Sequence, residues 1–396
     1  MSNNSIVDLG QQHIINNYGR FPISLVKGKG TYVWDADNKQ YLDFVSGIAA
    51  CSLGHCNEKL VQVVEEQAKT LWHVSNLYWI QPQVELAEKL AMITGLDKVF
   101  FCNSGTEANE AAIKLARKYF YRQNKSKKYE IISFSNSFHG RTLAALSATG
   151  QTKYQEGFAP MPAGFVYARY NDISSVEAAI TENTAAIMVE IIQGEGGVLP
   201  AELSFLRGLR KICDREDLLL IVDEVQTGVG RTGKFLACQL YDIKADIVTL
   251  AKGLGGGIPI GATLATEKVA SGFQPGDHAA TFGGNPLSTA VASKTVEIIS
   301  EASFLKQVEK MGEYLSEKLL GLKDPRIVHF RARGLMQGLE FDREVKGLVS
   351  ICIKKGLLLV NAGPKVLRFV PPLTVNEVEI NGAIAILEQA LKEWED

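Results

Sequence analysis

Between residues 99 and 250, short apolar runs alternate with stretches of helical spacing, and this alternation constrains the fold more than any other feature of the chain. The runs lie at 99–101, 130–134, 185–189, 218–222 and 247–250. They are mostly continuous rather than alternating, as strands buried on both faces are. Strands separated by helical stretches predict an α/β architecture, with a mostly parallel central sheet covered on both faces. Ahead of it, Thr31-Tyr32-Val33-Trp34-Asp35 and Gln40-Tyr41-Leu42-Asp43-Phe44 flank Asp37-Asn38 and predict a hairpin. Residues 58–71 and 83–93 have helical spacing. After Asn285-Pro286 the pattern is helical through roughly residue 322, and a mixed tail follows with strands near 327–341 and 366–370.

A chain of 396 residues exceeds one ordinary core, so two domains, or one large domain with a satellite, are expected. Its 42 basic and 44 acidic residues leave a net charge of −2, which carries no footprint of nucleic acid or of an anionic membrane. The start, Met1-Ser2-Asn3-Asn4-Ser5, is polar and uncharged, unlike a signal or transit peptide, and no apolar stretch approaches membrane-spanning length. Six cysteines, at 51, 56, 102, 213, 238 and 352, form no Cys-x-x-Cys pair and fit a reducing, cytoplasmic setting. Cys51 and Cys56 bracket His55, but no fourth ligand for a metal is in sight.

Two of the buried runs end in groups that carry chemistry. Ile247-Val248-Thr249-Leu250-Ala251 ends in Lys252, followed by Gly253-Leu254-Gly255-Gly256-Gly257, where glycines let backbone crowd against a ligand. The run 218–222 ends in Asp223-Glu224. Taken singly, such a lysine is usually a solvated strand terminus and such an aspartate a helix cap. Together they suit a pyridoxal phosphate enzyme, in which the amine forms a Schiff base and the acid keeps the pyridinium nitrogen protonated. Ser104-Gly105-Thr106 follows the strand 99–101 and opens a helical stretch. A helix N-terminus of that kind offers free N–H donors and a positive dipole end to the phosphate.

Gly228-Val229-Gly230-Arg231-Thr232-Gly233 spells the dinucleotide pattern G-x-G-x-x-G, and with Lys234-Phe235 it nearly spells a P-loop. Neither reading holds. No long amphipathic helix follows, the next strand ends in Lys252 rather than an acid, and Phe235 stands where a hydroxyl would meet Mg²⁺.

Asp223-Glu224-Val225-Gln226-Thr227-Gly228, together with Leu250-Ala251-Lys252-Gly253-Leu254-Gly255-Gly256-Gly257-Ile258-Pro259-Ile260-Gly261, resembles the signature of class III (subgroup II) pyridoxal-phosphate-dependent aminotransferases. The likeness runs from Tyr18-Gly19-Arg20 to Arg368-Phe369-Val370-Pro371-Pro372-Leu373, and within the family it is greatest to the branch acting on N2-acetylornithine in arginine biosynthesis. Ornithine, succinylornithine, 4-aminobutyrate and a lysine-pathway amine stay open as donors, because the same core words serve all of them. It implies the fold-type I transferase architecture, with a large cofactor-binding domain at 56–290 and a smaller α+β domain built from 1–55 and 291–396.

The resemblance also implies roles for residues. Gln226 would meet the cofactor's phenolic oxygen, Phe138 would stack on its ring, and Thr281 would reach the phosphate in the neighbouring subunit, making a homodimer with shared active sites. Arg141 and Arg368 would grip substrate carboxylates, a task suited to arginine's planar fork. Arg368 stands inside the apolar run Val366-Leu367-Arg368-Phe369-Val370, where burial is costly without an anionic partner. Glu195 would pair with it and release it for a dicarboxylate such as 2-oxoglutarate, the implied amino acceptor. Tyr18 matches a position at the substrate entrance. The chain departs from the branch at Ala280, where relatives carry a hydroxyl residue, and at Gly54-His55-Cys56-Asn57, which lacks the usual proline two residues after the histidine.

Overall fold

The computed structural model describes residues 1–394. Its centre is a seven-stranded sheet in the order Lys98–Cys102, Gly261–Ala265, Ile247–Leu250, Leu219–Asp223, Thr184–Glu190, Glu130–Phe134, Phe165–Ala168. Neighbours from Ile247–Leu250 to Phe165–Ala168 pair in parallel, as the sequence pattern predicts. Gly261–Ala265 runs antiparallel to both of its neighbours. That strand and Phe165–Ala168 escaped the sequence reading, because each lies close to glycine-rich or proline-rich connections that mask a short apolar run.

The continuous apolar runs follow from burial on both faces. Leu220, Val222, Ile187, Val189, Val248 and Leu250 enter one core, while Leu219, Ile221, Met188 and Ile247 enter another on the opposite face. Helix Gly105–Arg122 covers the second face with Ala112, Ile113, Ala116, Tyr119 and Phe120.

The hairpin forms from Tyr32–Asp35 and Gln40–Asp43, with Asn38 in the left-handed region its turn requires (φ 65°). It belongs to a sheet that Leu357–Leu358 joins in parallel beside Gln40–Asp43, so distant ends of the chain share one layer. The helical stretch after Asn285 is two helices, Pro286–Ser300 and Ala302–Leu320, separated at Glu301. An antiparallel sheet in the order Ile327–Arg333, Met336–Phe341, Val366–Phe369, Val360–Ala362 carries Arg368 on an inner strand. No helix among the described residues is long and apolar enough to cross a membrane.

Candidate active site

Parallel strands bring their C-terminal ends to one edge, where ligands bind in open α/β sheets. At that edge Asp223 is in register with Glu190 on one side and Thr249 on the other, and Lys252 follows two residues after Leu250. Together with the N-terminus of helix Gly105–Arg122 they border a cavity of about 440 Å³. Ser104, Gly105, Thr106, Phe138, Arg141, Asp223, Gln226 and Lys252 all line it.

Lys252 is half-buried and opens a 3₁₀ turn, Lys252–Gly255. Its φ of 43° lies in the left-handed region, unusual for a residue with a side chain and a mark of functional backbone strain. Burial pushes its amine below the ordinary lysine range; Glu195 and Asp223 oppose the shift, and Arg368 reinforces it.

Asp223 is held on three sides. Its Oδ2 accepts from Asn109 Nδ2 at 2.7 Å and lies 2.8 Å from His139 Nδ1, and its Oδ1 accepts from the Val225 N–H at 3.0 Å. Asn109 is itself fixed, donating to the His139 carbonyl at 2.7 Å and accepting from Thr249 Oγ1 at 2.7 Å. Burial works to lower the His139 pKa, yet the hydrogen bond and charge of Asp223, with Glu190, raise it above the ordinary value. Glu224, the other half of the sequence pair, turns into the core, where Thr227 and the Cys238 N–H satisfy it.

Arg368 is 1 % exposed, and its Nη1 donates to Glu195 Oε1 at 2.6 Å, to Gln226 Oε1 at 2.9 Å and to the Gly194 carbonyl at 3.3 Å. Its Nε has no partner among the described residues. Glu195 sits between Ile192–Gln193 and Leu199–Pro200, a short hairpin that brings it to Arg368 and to Gln226. Gln226 lines the cavity, while Glu195 and Arg368 themselves stand behind that lining. Burial acts to raise the Glu195 carboxyl, but the Arg368 and Lys252 cations outweigh it and hold the group below its usual value. Arg141 is exposed, with its guanidinium 4.1 Å from the centre of the Tyr154 ring and no carboxylate partner among the described residues.

The remaining sequence-derived residues lie elsewhere. Thr281 is exposed and Ala280 half-buried, and neither lines this cavity; the Ala280 carbonyl accepts from Asn76 Nδ2 at 3.0 Å. Tyr18 is exposed beside Arg20 in a separate surface hollow formed by the N-terminal segment, so the chain does not bring it to its own site. His55 pairs with Asp43 at 2.7 Å, and no group of metal-ligating side chains occurs among the described residues. The G-x-G-x-x-G segment is followed by the short 3₁₀ helix Ala237–Tyr241, with Phe235 buried and Arg231 donating to the Leu335 and Pro371 carbonyls.

Asn109, Glu190 and Gly140 join the cavity without having been singled out from the sequence. Glu190 carried the same signal as Asp223, a carboxylate ending a buried run. Asn109 is a polar residue on the apolar face of its helix.

The cavity fits pyridoxal phosphate. The Gly105 and Thr106 N–H groups, first in their helix, have no protein acceptor and are free for a phosphate. A side chain at Gly140 (φ 142°) would come 2.2 Å from Thr106 Oγ1, so the space beside that hydroxyl depends on glycine. A carboxylate has about four acceptor sites, so Asp223 with its three donors retains one for a ring N–H.

The family model for class-III aminotransferases matches residues 14–391. The chain belongs to the class-III aminotransferases. It is therefore a pyridoxal-phosphate-dependent transaminase, and its mostly parallel sheet covered by helices is the fold-type I architecture of that family. The chain is 50% identical to the acetylornithine aminotransferase of Caldanaerobacter subterraneus subsp. tengcongensis over 386 residues, 97% of this chain and 98% of that one. With the acetylornithine aminotransferase of Aquifex aeolicus it is 51% identical over 380 residues, 96% of this chain and all of that one. Among solved structures, the N-acetylornithine aminotransferase of Stenotrophomonas maltophilia superimposes with a TM-score of 0.84 at 36% identity, covering 98% of each chain. An ornithine aminotransferase of Toxoplasma gondii, described with partial occupancy of pyridoxal phosphate at its active site, gives a TM-score of 0.95 at 31% identity, covering 99% of this chain and 94% of that one.

Proposed function

We propose that the enzyme moves the δ-amino group of N2-acetylornithine to 2-oxoglutarate, giving N-acetylglutamate 5-semialdehyde and glutamate, in the cytoplasm. The observation that carries this reading is the buried Arg368 paired with Glu195 beside the Lys252 amine. Near-half identity with acetylornithine aminotransferases over almost the whole chain supports the choice of donor.

Pyridoxal phosphate, when bound, supplies an aldehyde to carry the amino group and a ring to take up the electron pair left at the substrate carbon. The protein's residues do the rest. Gly105 and Thr106 would hold the phosphate through backbone N–H groups, and Phe138 and Gln226 would fix the ring's face and its oxygen. Asp223, itself anchored by Asn109 and His139, keeps a positive charge on the ring nitrogen. Lys252 Nζ, its proton affinity lowered by burial, would take the proton from the carbon bearing the donor's amine. Arg141, without a carboxylate partner, binds the α-carboxylate of either substrate.

Glu195 and Arg368 then distinguish the half-reactions. While paired, they present no net charge to the acetylated end of the donor. Parted, Arg368 receives the second carboxylate of 2-oxoglutarate or glutamate. Glu195→Gln removes the competing charge, so kcat/KM for 2-oxoglutarate should rise relative to that for the amine donor by about tenfold, the scale of one charged hydrogen bond. An unchanged ratio in steady-state assays would remove Glu195 from this role.

A homodimer completes the proposal. Trp72, Leu77, Tyr78, Trp79 and Phe282 are all exposed. Asn76 ties their two segments together by donating to the Ala280 and Gly283 carbonyls, and the exposed Thr281 lies between those two residues in the chain. Large apolar side chains exposed on two linked segments fit a permanent interface, across which Thr281 would serve the partner's phosphate.

The deciding experiment is a panel of N2-acetylornithine, ornithine, N2-succinylornithine and 4-aminobutyrate, each with 2-oxoglutarate as acceptor. N2-acetylornithine is expected to give the highest kcat/KM, and a clear preference for another amine would reassign the donor.

A further inference from the structure

Glu190 ends the strand Thr184–Glu190 beside Asp223 and is buried, yet no step above uses its charge. Its two oxygens each receive one backbone N–H. Oε2 accepts from Phe138 at 3.0 Å, and Oε1 accepts from Gly194 at 3.3 Å. Those donors belong to separate segments: Phe138 lines the cavity after the strand Glu130–Phe134, and Gly194 immediately precedes Glu195 in the short hairpin. The main chain at Glu190 is pinned as well, since its carbonyl accepts from the Tyr170 hydroxyl at 2.8 Å. Gly194 cannot drift independently, because its carbonyl accepts from Arg368 and a Cβ there would meet Gln226 Oε1 at 2.4 Å.

A buried carboxylate is a poor way to stabilise a fold, and here burial pushes the Glu190 carboxyl up to about 7. What an apolar residue of the same size could not do is accept an N–H group from each of two separate segments. We propose that Glu190 is a positioning residue: a strut that couples the seat of the cofactor ring at Phe138 to the resting position of Glu195 against Arg368. The proposal rests on the transaminase site described above and deepens it.

The test uses the cofactor-loaded enzyme and the variant Glu190→Gln, which keeps the shape but turns an amide N–H₂ toward one of the two N–H donors. Two readouts are expected to move together. The visible circular dichroism of the bound cofactor should weaken, because the ring-stacking wall loses its anchor. The ratio of kcat/KM for 2-oxoglutarate to that for the amine donor should rise about tenfold, because Glu195 no longer rests against Arg368. Glu195→Gln alone should move the ratio and leave the dichroism unchanged. Combining the two substitutions should raise the ratio no further than Glu195→Gln alone does, since both act through one side chain.

Should Glu190→Gln fail to fold, Glu190→Asp preserves the charge but is too short to reach both donors, and it should shift the same ratio. Additive effects in the double variant, or a ratio and dichroism matching the parent enzyme, would overturn the strut. A parent enzyme that transfers no amino group from any of the amines would overturn the transaminase reading, and this proposal with it.

Discussion

Lys252→Ala is expected to cost about 10³-fold or more in turnover, because one substitution removes both a covalent anchor and a positioned base. No other amine lines the cavity, so no neighbour can substitute. The left-handed backbone at this residue aims the side chain from the strand end into the cavity, and alanine there keeps the conformational strain while losing its purpose. Three measurements check the outcome together: single-turnover rate, the visible absorbance of the bound cofactor, and the site labelled by borohydride. The parent enzyme should carry a phosphopyridoxyl mass on the peptide containing Lys252, and the variant none. A variant that kept both its absorbance and its turnover would refute the assignment of this residue.

Asp223→Ala should leave the cofactor covalently attached while turnover falls by roughly 10²–10³-fold, the usual scale for losing one charged group aimed at developing charge in a water-excluded site. Without the Asp223 carboxylate the ring nitrogen loses its charge partner, and the neighbouring Glu190 already gives an acceptor site of each oxygen to a backbone N–H. His139 also loses the partner at its Nδ1, and Asn109 loses one of its acceptors. A buried donor left unpaired costs about 1–3 kcal/mol, so the variant should also melt earlier. Turnover equal to the parent's would remove the charge argument, whereas a lower melting temperature with full activity would mean that Asp223 only supports the core.

The sheet was legible because strands buried on both faces leave unbroken apolar runs, and four of the five runs that were read, 130–134, 185–189, 218–222 and 247–250, form its parallel core. The fifth, at 99–101, pairs instead with the antiparallel Gly261–Ala265. That strand follows the glycine-rich turn after Lys252, and its own small residues give no periodic signal. Glu190 and Asn109 were passed over for a different reason. A lone carboxylate or amide on an apolar element is equally consistent with a surface end, and only packing shows that both sides of it are covered.

The linear order of residues pointed to a pyridoxal phosphate enzyme, because strand-end groups are local features: the sequence neighbours of Lys252, Asp223 and Ser104 already state that each sits where a sheet edge opens. The resemblance of the words around them implied the transaminase class. The partnerships that tune those groups belong to the folded chain alone. Asp223 with Asn109, Arg368 with Glu195, and Glu190 with Phe138 join residues on separate elements. Their distances depend on how helices and sheets stack, and the energies of buried charges depend on the resulting exclusion of water, which no stretch of sequence encodes by itself.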